Sequence, residues 1–233
     1  MPQVIGIIGG LSPESTVSYY LHLTRRYVSE FGDSSFPEIV IYSVSLEKYH
    51  QWRNEDRWDL ITGDLVKAGK HLADAGADFA LIATNTMHRV FSEVQRELTI
   101  PLVNLLDAVA EKIKETENIQ RVGLIGTRFT MTDGFYSDHL SQYGIETLIP
   151  GEEDREYIHR AIEDELVKGE INESTRNRFV EIIEKLGQAG AQGVILGCTE
   201  IPLLVNQELC SIPLFDSALI HADAAYDRIF REG

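Results

Sequence analysis

The sequence predicts an α/β protein made of two duplicated, doubly wound parallel-sheet domains related by a pseudo-twofold axis. Three observations carry that prediction. The chain repeats itself: Ala75–Thr86 aligns without a gap on Ala189–Glu200 at an offset of 114 residues. Val4–Gly10 matches Arg121–Thr127 at 117, and Ile100–Asn104 matches Ile212–Asp216 at 112. Three matches in one order at near-equal offsets indicate a domain-sized duplication rather than a solenoid. Short apolar, β-branched runs recur, as in parallel strands covered on both faces. Helical periodicity fills the segments between them, and strand–helix alternation implies doubly wound sheets.

The elements follow in order. Val4–Ile8 reads as the first strand. Ser12-Pro13 then starts a helix, with a capping hydroxyl followed by proline in the first turn. Val17, Tyr20, Leu21, Val28 and Phe31 form an apolar stripe, the expected core face of that helix. Ile39–Val44, Phe79–Ala83 and Leu102–Val103 are the next strands, and Ala75-Gly76 ends the helix before Phe79. The second half repeats the scheme with Val122–Ile125, Thr147–Ile149, Val194–Leu196 and Leu214–Phe215. Its helices carry Tyr157, Ile158, Ala161, Ile162 and Leu166, then Phe179, Ile182, Ile183 and Leu186, and Ala189-Gly190 is a second helix stop. No linker separates the halves. We expect residues 1–101 with 214–233 in the first domain and 102–213 in the second.

The chain has 233 residues, 43% hydrophobic and 25% charged, as in ordinary globular proteins. Lys and Arg number 21 against 37 Asp and Glu, a net charge of −16. That balance argues against nucleic acid or an anionic membrane as the partner, while leaving room for a small anionic substrate beside local cations. No apolar run approaches the roughly 18 residues of a membrane span, and Met1-Pro2-Gln3 does not open a signal peptide. Two cysteines, Cys198 and Cys210, make no disulfide framework, so a reduced, cytoplasmic protein is expected.

Ligands of doubly wound sheets sit beyond the carboxyl ends of the strands. Gly9-Gly10-Leu11-Ser12, Thr84-Asn85-Thr86, Gly126-Thr127 and Cys198-Thr199 all fall there, and the pseudo-twofold would set Thr84 and Cys198 across one cleft. The order Gly6-Ile7-Ile8-Gly9-Gly10 is not a dinucleotide fingerprint, and no Gly-Lys-Ser/Thr follows. A tight turn, or close approach of a small ligand to the backbone at Gly10 and Leu11, accounts for it. His71, His88, His139, His159 and His221 lack metal-ligand spacing with one another or with Cys198, so no metal is expected. Cys198 is readable as a small buried hydrophobe. It is equally readable as a reactive thiol whose pKa is lowered by a helix beginning at Thr199. Cys210 pairs in the repeat with Leu98, which favours packing.

The segments Gly9–Thr16 (GGLSPEST), Thr84–His88 (TNTMH) and Gly197–Glu200 (GCTE) resemble the aspartate/glutamate racemase superfamily, and aspartate racemase-type members most of all. The resemblance covers the whole chain. It implies an enzyme, free of pyridoxal phosphate and other cofactors, that moves the α-proton of an acidic amino acid, with two cysteines flanking the substrate. It further implies a C-terminal helix, Ala218–Phe230, packed on the first half, and a symmetric homodimer, also the commonest oligomer in general. Arg53 matches the position of a carboxylate-binding arginine, and Lys168 that of a second basic residue. Their plainer roles are a solvated surface charge and a cation at a helix end. Thr86, Thr127 and Thr199 can hold the α-carboxylate and Asn85 can orient it, or these residues serve as helix caps.

The sequence departs from the family at Thr84, which stands where the first cysteine belongs. A hydroxyl is a far weaker acid and base than a thiol near neutral pH. The second proton then comes through Thr84, a water beside it, or His88. The expected activity is racemisation of aspartate or glutamate with Cys198 as the main acid/base and one enantiomer, taken as L, preferred. The alternatives are a single-cysteine decarboxylase on the same scaffold and a non-catalytic dicarboxylate-binding protein.

Overall fold

Strand β1 (Ile5–Gly9) is buried along its whole length, as its unbroken apolar run requires. The computed structural model describes residues 2–33 and 36–230. After β1 come α1 (Pro13–Phe31), β2 (Ile39–Ser43), α2 (Leu46–Asn54), α3 (Trp58–Asp74), β3 (Phe79–Ile82), α4 (Phe91–Arg96) and β4 (Leu102–Val103). The second half runs α5 (Leu105–Glu115), β5 (Arg121–Ile125), α6 (Arg128–Thr132), α7 (Phe135–Ser141), β6 (Glu146–Leu148), α8 (Glu152–Asp164), α9 (Glu173–Gln188), β7 (Val194–Leu196), β8 (Leu214–Asp216) and α10 (Ser217–Arg228). Two four-stranded sheets result, ordered β2-β1-β3-β4 and β6-β5-β7-β8. All pairings are parallel.

The two orders are the same permutation, so the duplication visible in the sequence is a duplication of topology. In each sheet the chain leaves the first strand to one side and returns on the other. The switch points therefore lie at β1/β3 and β5/β7, where ligands of such sheets bind.

The described chain divides into two compact units, 2–104 with 221–230 and 105–220. The expected boundaries at 101/102 and 213/214 each shift toward the carboxyl end. Leu102–Val103 pairs with β3 and completes the first sheet. Leu214–Asp216 pairs with β7 and completes the second. Each Ile-Pro-Leu segment thus supplies the last strand of the sheet it follows, and the chain changes unit only afterwards. Within the first unit, His221 Nε2 bonds the Val103 carbonyl (2.9 Å) and Tyr226 donates to Glu30 (2.8 Å).

The helix caps take the form the sequence predicts. Ser12 caps α1 by accepting from the Ser15 N–H, with Pro13 in the first turn, an arrangement worth about 1 kcal/mol. Gly76 and Gly190 follow their helices with positive φ. Of the apolar stripes, Ile158, Ala161, Ile162 and Leu166 are buried with Phe179, Ile182, Ile183 and Leu186 in one core. The α1 stripe is the exception. Val17, Tyr20, Val28 and Phe31 are exposed, and the buried face is Ser15, Thr16, Tyr19, Leu23, Thr24 and Tyr27. Hydroxyls can be buried there because each is satisfied. Ser15 donates to the Ala83 carbonyl, Thr16 to that of Ser12, and Thr24 to that of Tyr20. Among the described residues, no helix is long and apolar enough to cross a membrane.

Candidate active site

In the first unit, the β1–α1 turn is held by side chains of α1. Thr16 Oγ1 accepts from the Gly10 N–H at 2.8 Å. Gly10 has φ +79, and a Cβ there would lie 2.2 Å from the Val44 carbonyl oxygen, so a side chain is excluded on both counts. Leu11 is buried with Met87, Tyr49 and Trp52 packed in the same core. The β1 turn, the segment after β3 and helix α2 are thereby tied together.

The β3 end is a tight structure of its own. Ala83 N–H donates to Ile8 and Thr84 N–H to Ile82. Thr84 is half-buried, Asn85 and Thr86 are buried, and a 3-10 turn covers Thr86–Val90. His88 Nδ1 donates to the Thr84 carbonyl at 2.8 Å. Its ring lies against Phe91 (5.5 Å between centroids) and against the edge of His221 (5.5 Å). His221 Nε2 is bonded to Val103 O, so its Nδ1 accepts from the Tyr19 hydroxyl at 2.9 Å. Burial pushes His221 down to about 4, partly offset by the bond to Val103. It is therefore a neutral ring near pH 7, and the Thr84 turn rests on uncharged aromatics.

Arg53 sits in the last turn of α2 and is 9% exposed. A solvated surface charge is ruled out for it.

In the second unit, the β7 end copies the main chain of the β3 end. Gly197 N–H donates to Ile125 as Ala83 does to Ile8. A Cβ on Gly126 would meet the Gly197 carbonyl at 2.9 Å, so the β5 and β7 ends approach more closely than side chains permit. Thr127 caps α6, accepting from the Thr130 N–H.

The side chains after Gly197 differ from those after Ala83. Cys198 Sγ donates to Glu200 Oε2 at 2.9 Å, and Thr199 Oγ1 donates to the same oxygen at 2.8 Å. Glu200 is 4% exposed. Removal from water pushes the Cys198 thiol well above its ordinary range, and the Glu200 carboxylate pushes it further. This corrects the expectation of a depressed thiol. No α-helix forms between β7 and β8; the turn nearest Cys198 is a 3-10 turn, Ile201–Leu203, with Pro202 inside it. The dominant neighbour of the sulfur is a carboxylate and not a helix dipole. The resting state is a thiol hydrogen-bonded to a base.

Glu200 is the partner that sequence reasoning did not single out. The signal was its place two residues beyond Cys198 at a strand end.

Lys168 ends a 3-10 turn, is exposed and makes no ion pair among the described residues. Cys210 is half-buried against the second unit's core. Among the described residues no group of three or more His, Cys, Asp or Glu is placed to hold a metal. A cavity of about 410 Å³ beside α8 is lined by Glu153, Tyr157, Arg160, Asp164 and Arg178 and includes none of the strand-end residues.

Comparison with known proteins bears on the family and the fold. The model of the Asp/Glu/Hydantoin racemase family matches residues 8–225. A crystal structure of a candidate Asp/Glu racemase from Yersinia pestis superposes with a TM-score of 0.92 at 39% identity, covering 98% of this chain and 100% of that one. An aspartate racemase homologue from Pyrococcus horikoshii gives 0.87 at 38%, covering 98% and 100%. The broad specificity amino-acid racemase RacX of Bacillus subtilis is 23% identical over 92% of this chain and 93% of its own.

Proposed function

On the premise that the chain belongs to the Asp/Glu/hydantoin racemase family, we propose that it racemises aspartate or glutamate with Cys198 as the main acid/base. The chain is an amino-acid racemase, hence an isomerase. The observation that carries the finer reading is the Cys198–Glu200 pair, a thiol placed against a buried carboxylate at a strand end.

The chemistry follows from that pair. An α-proton is a weak acid, so its removal needs a base within hydrogen-bond reach and stabilisation of the developing charge. Glu200 takes the thiol proton, and the thiolate takes the α-proton of one hand. The carbanionic intermediate receives a proton on its opposite face. In this reading that proton comes through Thr84 or a water it orders, because His88 Nδ1 is committed to the Thr84 carbonyl. The proton count closes when Glu200 releases its proton to solvent and the donor on the Thr84 side is refilled. No pyridoxal phosphate or metal is called for.

Arg53 supplies bidentate recognition of the side-chain carboxylate, and Lys168 adds charge. Gly10 and Leu11, with Asn85, Thr86, Thr127 and Thr199, hold the amino-acid end. The L form is the better substrate, and the enzyme works in the cytoplasm.

Solvent-deuterium exchange into L- and D-aspartate and L- and D-glutamate, run separately, tests the reading. Deuterium at the α-carbon with loss of optical rotation is the expected result. Carbon dioxide release would indicate a decarboxylase, and tight binding without exchange a sensor; either contradicts the proposal.

A further inference from the structure

Helix α2, which carries Arg53, has few means of holding its own shape. It is nine residues long, and a helix that short is marginal in isolation. Ser45, which precedes it, makes no side-chain capping bond among the described residues. Its buried residues are Tyr49 and Arg53, four apart and therefore on one face. Burying a guanidinium costs free energy, so Arg53 is not what holds the helix down. The anchoring falls to Tyr49 and to the partly buried Trp52 beside it.

Tyr49 is fastened to α3. Its ring is fully buried in the core that contains Ile61 and Leu65. Its hydroxyl donates to Asp64 Oδ2 at 2.7 Å, a charge-assisted bond and so stronger than one between neutral groups. Burial, and then the Asp64 carboxylate, push the Tyr49 hydroxyl far above its ordinary range, so it stays protonated and acts as a donor. Lys48 Nζ meets the same Asp64 oxygen at 2.6 Å. That ammonium also lies 5.6 Å from the centroids of both the Tyr49 and Trp52 rings, within cation–π range. Asp64 thus gathers two consecutive side chains of α2 onto one carboxylate.

A second tie lies at the other end of the helix. The Arg57 N–H donates to the Trp52 carbonyl at 2.7 Å, and Asp56 turns the chain with φ +53. With that turn alone, α2 could pivot about its carboxyl end. The Tyr49–Asp64 bond, one helical turn before Arg53, removes the pivot.

We propose that Tyr49 and Asp64 are positioning residues for the racemase reaction: their hydrogen bond fixes α2 on α3 and so holds the Arg53 guanidinium ready for a substrate carboxylate. This role rests on Arg53 recognising that carboxylate, as proposed. Tyr49 is 0% exposed, so its hydroxyl acts through Arg53 and not by touching substrate. A guanidinium held in place needs no ordering when substrate arrives, and avoiding that ordering strengthens binding. The clamp acts on binding and not on proton transfer, because neither residue belongs to the strand ends that carry Thr84 and Cys198.

Initial rates with L-aspartate and with L-glutamate test the role. Tyr49→Phe keeps the buried ring and deletes only the hydroxyl. It should raise KM about tenfold through misplacement of Arg53, with kcat within about twofold of wild type. Asp64→Ala should raise KM at least as much. In the Arg53→Met background neither change should raise KM further, because the group they position is gone. A general loss of packing would instead lower the active fraction alike in both backgrounds. An unchanged KM in Tyr49→Phe, a fall in kcat with KM unmoved, or the same rise in KM with Arg53 already replaced would each overturn the proposal. The two levels fail differently. If Arg53→Met binds substrate as wild type does, the role of Arg53 falls and the clamp's role with it. If Arg53→Met weakens binding and Tyr49→Phe does not, only the clamp's role falls. Should Asp64→Ala fail to fold, Tyr49→Phe decides alone.

Discussion

The β3 and β7 ends share a backbone and differ in what it carries. In both, the residue before Thr84 or Cys198 donates to the strand alongside: Ala83 to Ile8, Gly197 to Ile125. Beyond that point the first unit places a hydroxyl at Thr84 and pins its carbonyl with His88, a ring stacked among uncharged aromatics. The second unit places a thiol at Cys198 and faces it with a buried carboxylate. Duplication preserved the scaffold that positions a group at each strand end, while the acid–base strength of the two groups diverged. In the proposed reading the Cys198 end exchanges the proton, with Glu200 accepting from the thiol, and the Thr84 end, its carbonyl pinned by His88, holds a shape.

The largest effect should come from removing the stronger group. Cys198→Ala should lower racemisation by about 10²–10⁴-fold, the usual reach of a positioned acid/base, with the fold intact by circular dichroism. Cys210→Ala, a packing change, should keep most of the activity. Normal turnover by the Cys198 variant would erase the contrast between the two ends.

Glu200→Gln sharpens the contrast from the other side. It keeps a hydrogen-bonding side chain but removes the carboxylate that accepts the thiol proton, so kcat should fall by about 10²-fold. The sign of the titration is also fixed. Burial and the Glu200 charge both raise the Cys198 pKa, so deleting the charge must lower it, and thiolate forms at lower pH. The pH midpoint of iodoacetamide labelling at Cys198 should move down even as catalysis weakens. A midpoint that stays put or rises would remove Glu200 from the site.

Arg53→Met tests recognition. Loss of a charge-assisted bidentate contact should cost roughly one to two decades of affinity for aspartate or glutamate by calorimetric titration. The effect on kcat should be smaller. Unchanged affinity would make Arg53 a structural cation and weaken the case for a dicarboxylate.

The smallest change is expected from Thr84→Cys, which makes the two ends alike. It should raise kcat on the disfavoured hand by about three- to tenfold, short of a full acid/base contribution, because the β3 end has no carboxylate to match Glu200. No gain in stopped-assay initial rates would mean that Thr84 does not stand at the second proton-transfer position.

The parts legible in the sequence were those carried by redundant signals. Strands such as Val194–Leu196 showed in composition, in the repeat and in the Ala-Gly stop before them. The α1 face misled because counting apolar residues assumes that hydroxyls stay wet. Ser15, Thr16 and Thr24 are buried because main-chain acceptors within reach satisfy them. The segment after Cys198 imitated a helix start, Thr-Glu followed by Ile201 and Leu204. The short 3-10 turn around Pro202 carries no comparable dipole, so the inferred thiol shift had the wrong sign. Glu200 passed as an ordinary polar residue because its burial is tertiary and leaves no periodic trace.

A full progress curve from each enantiomer tests most directly the claim that only one strand end carries an effective acid/base. The two hands have equal free energy, so the final ratio must be one and kcat/KM must be the same in both directions. The unequal ends therefore show only in the separate constants. The account predicts a wide difference in kcat between the hands, matched by an equal difference in KM, with L the faster. Equal kcat values from both hands in the wild-type enzyme would contradict it.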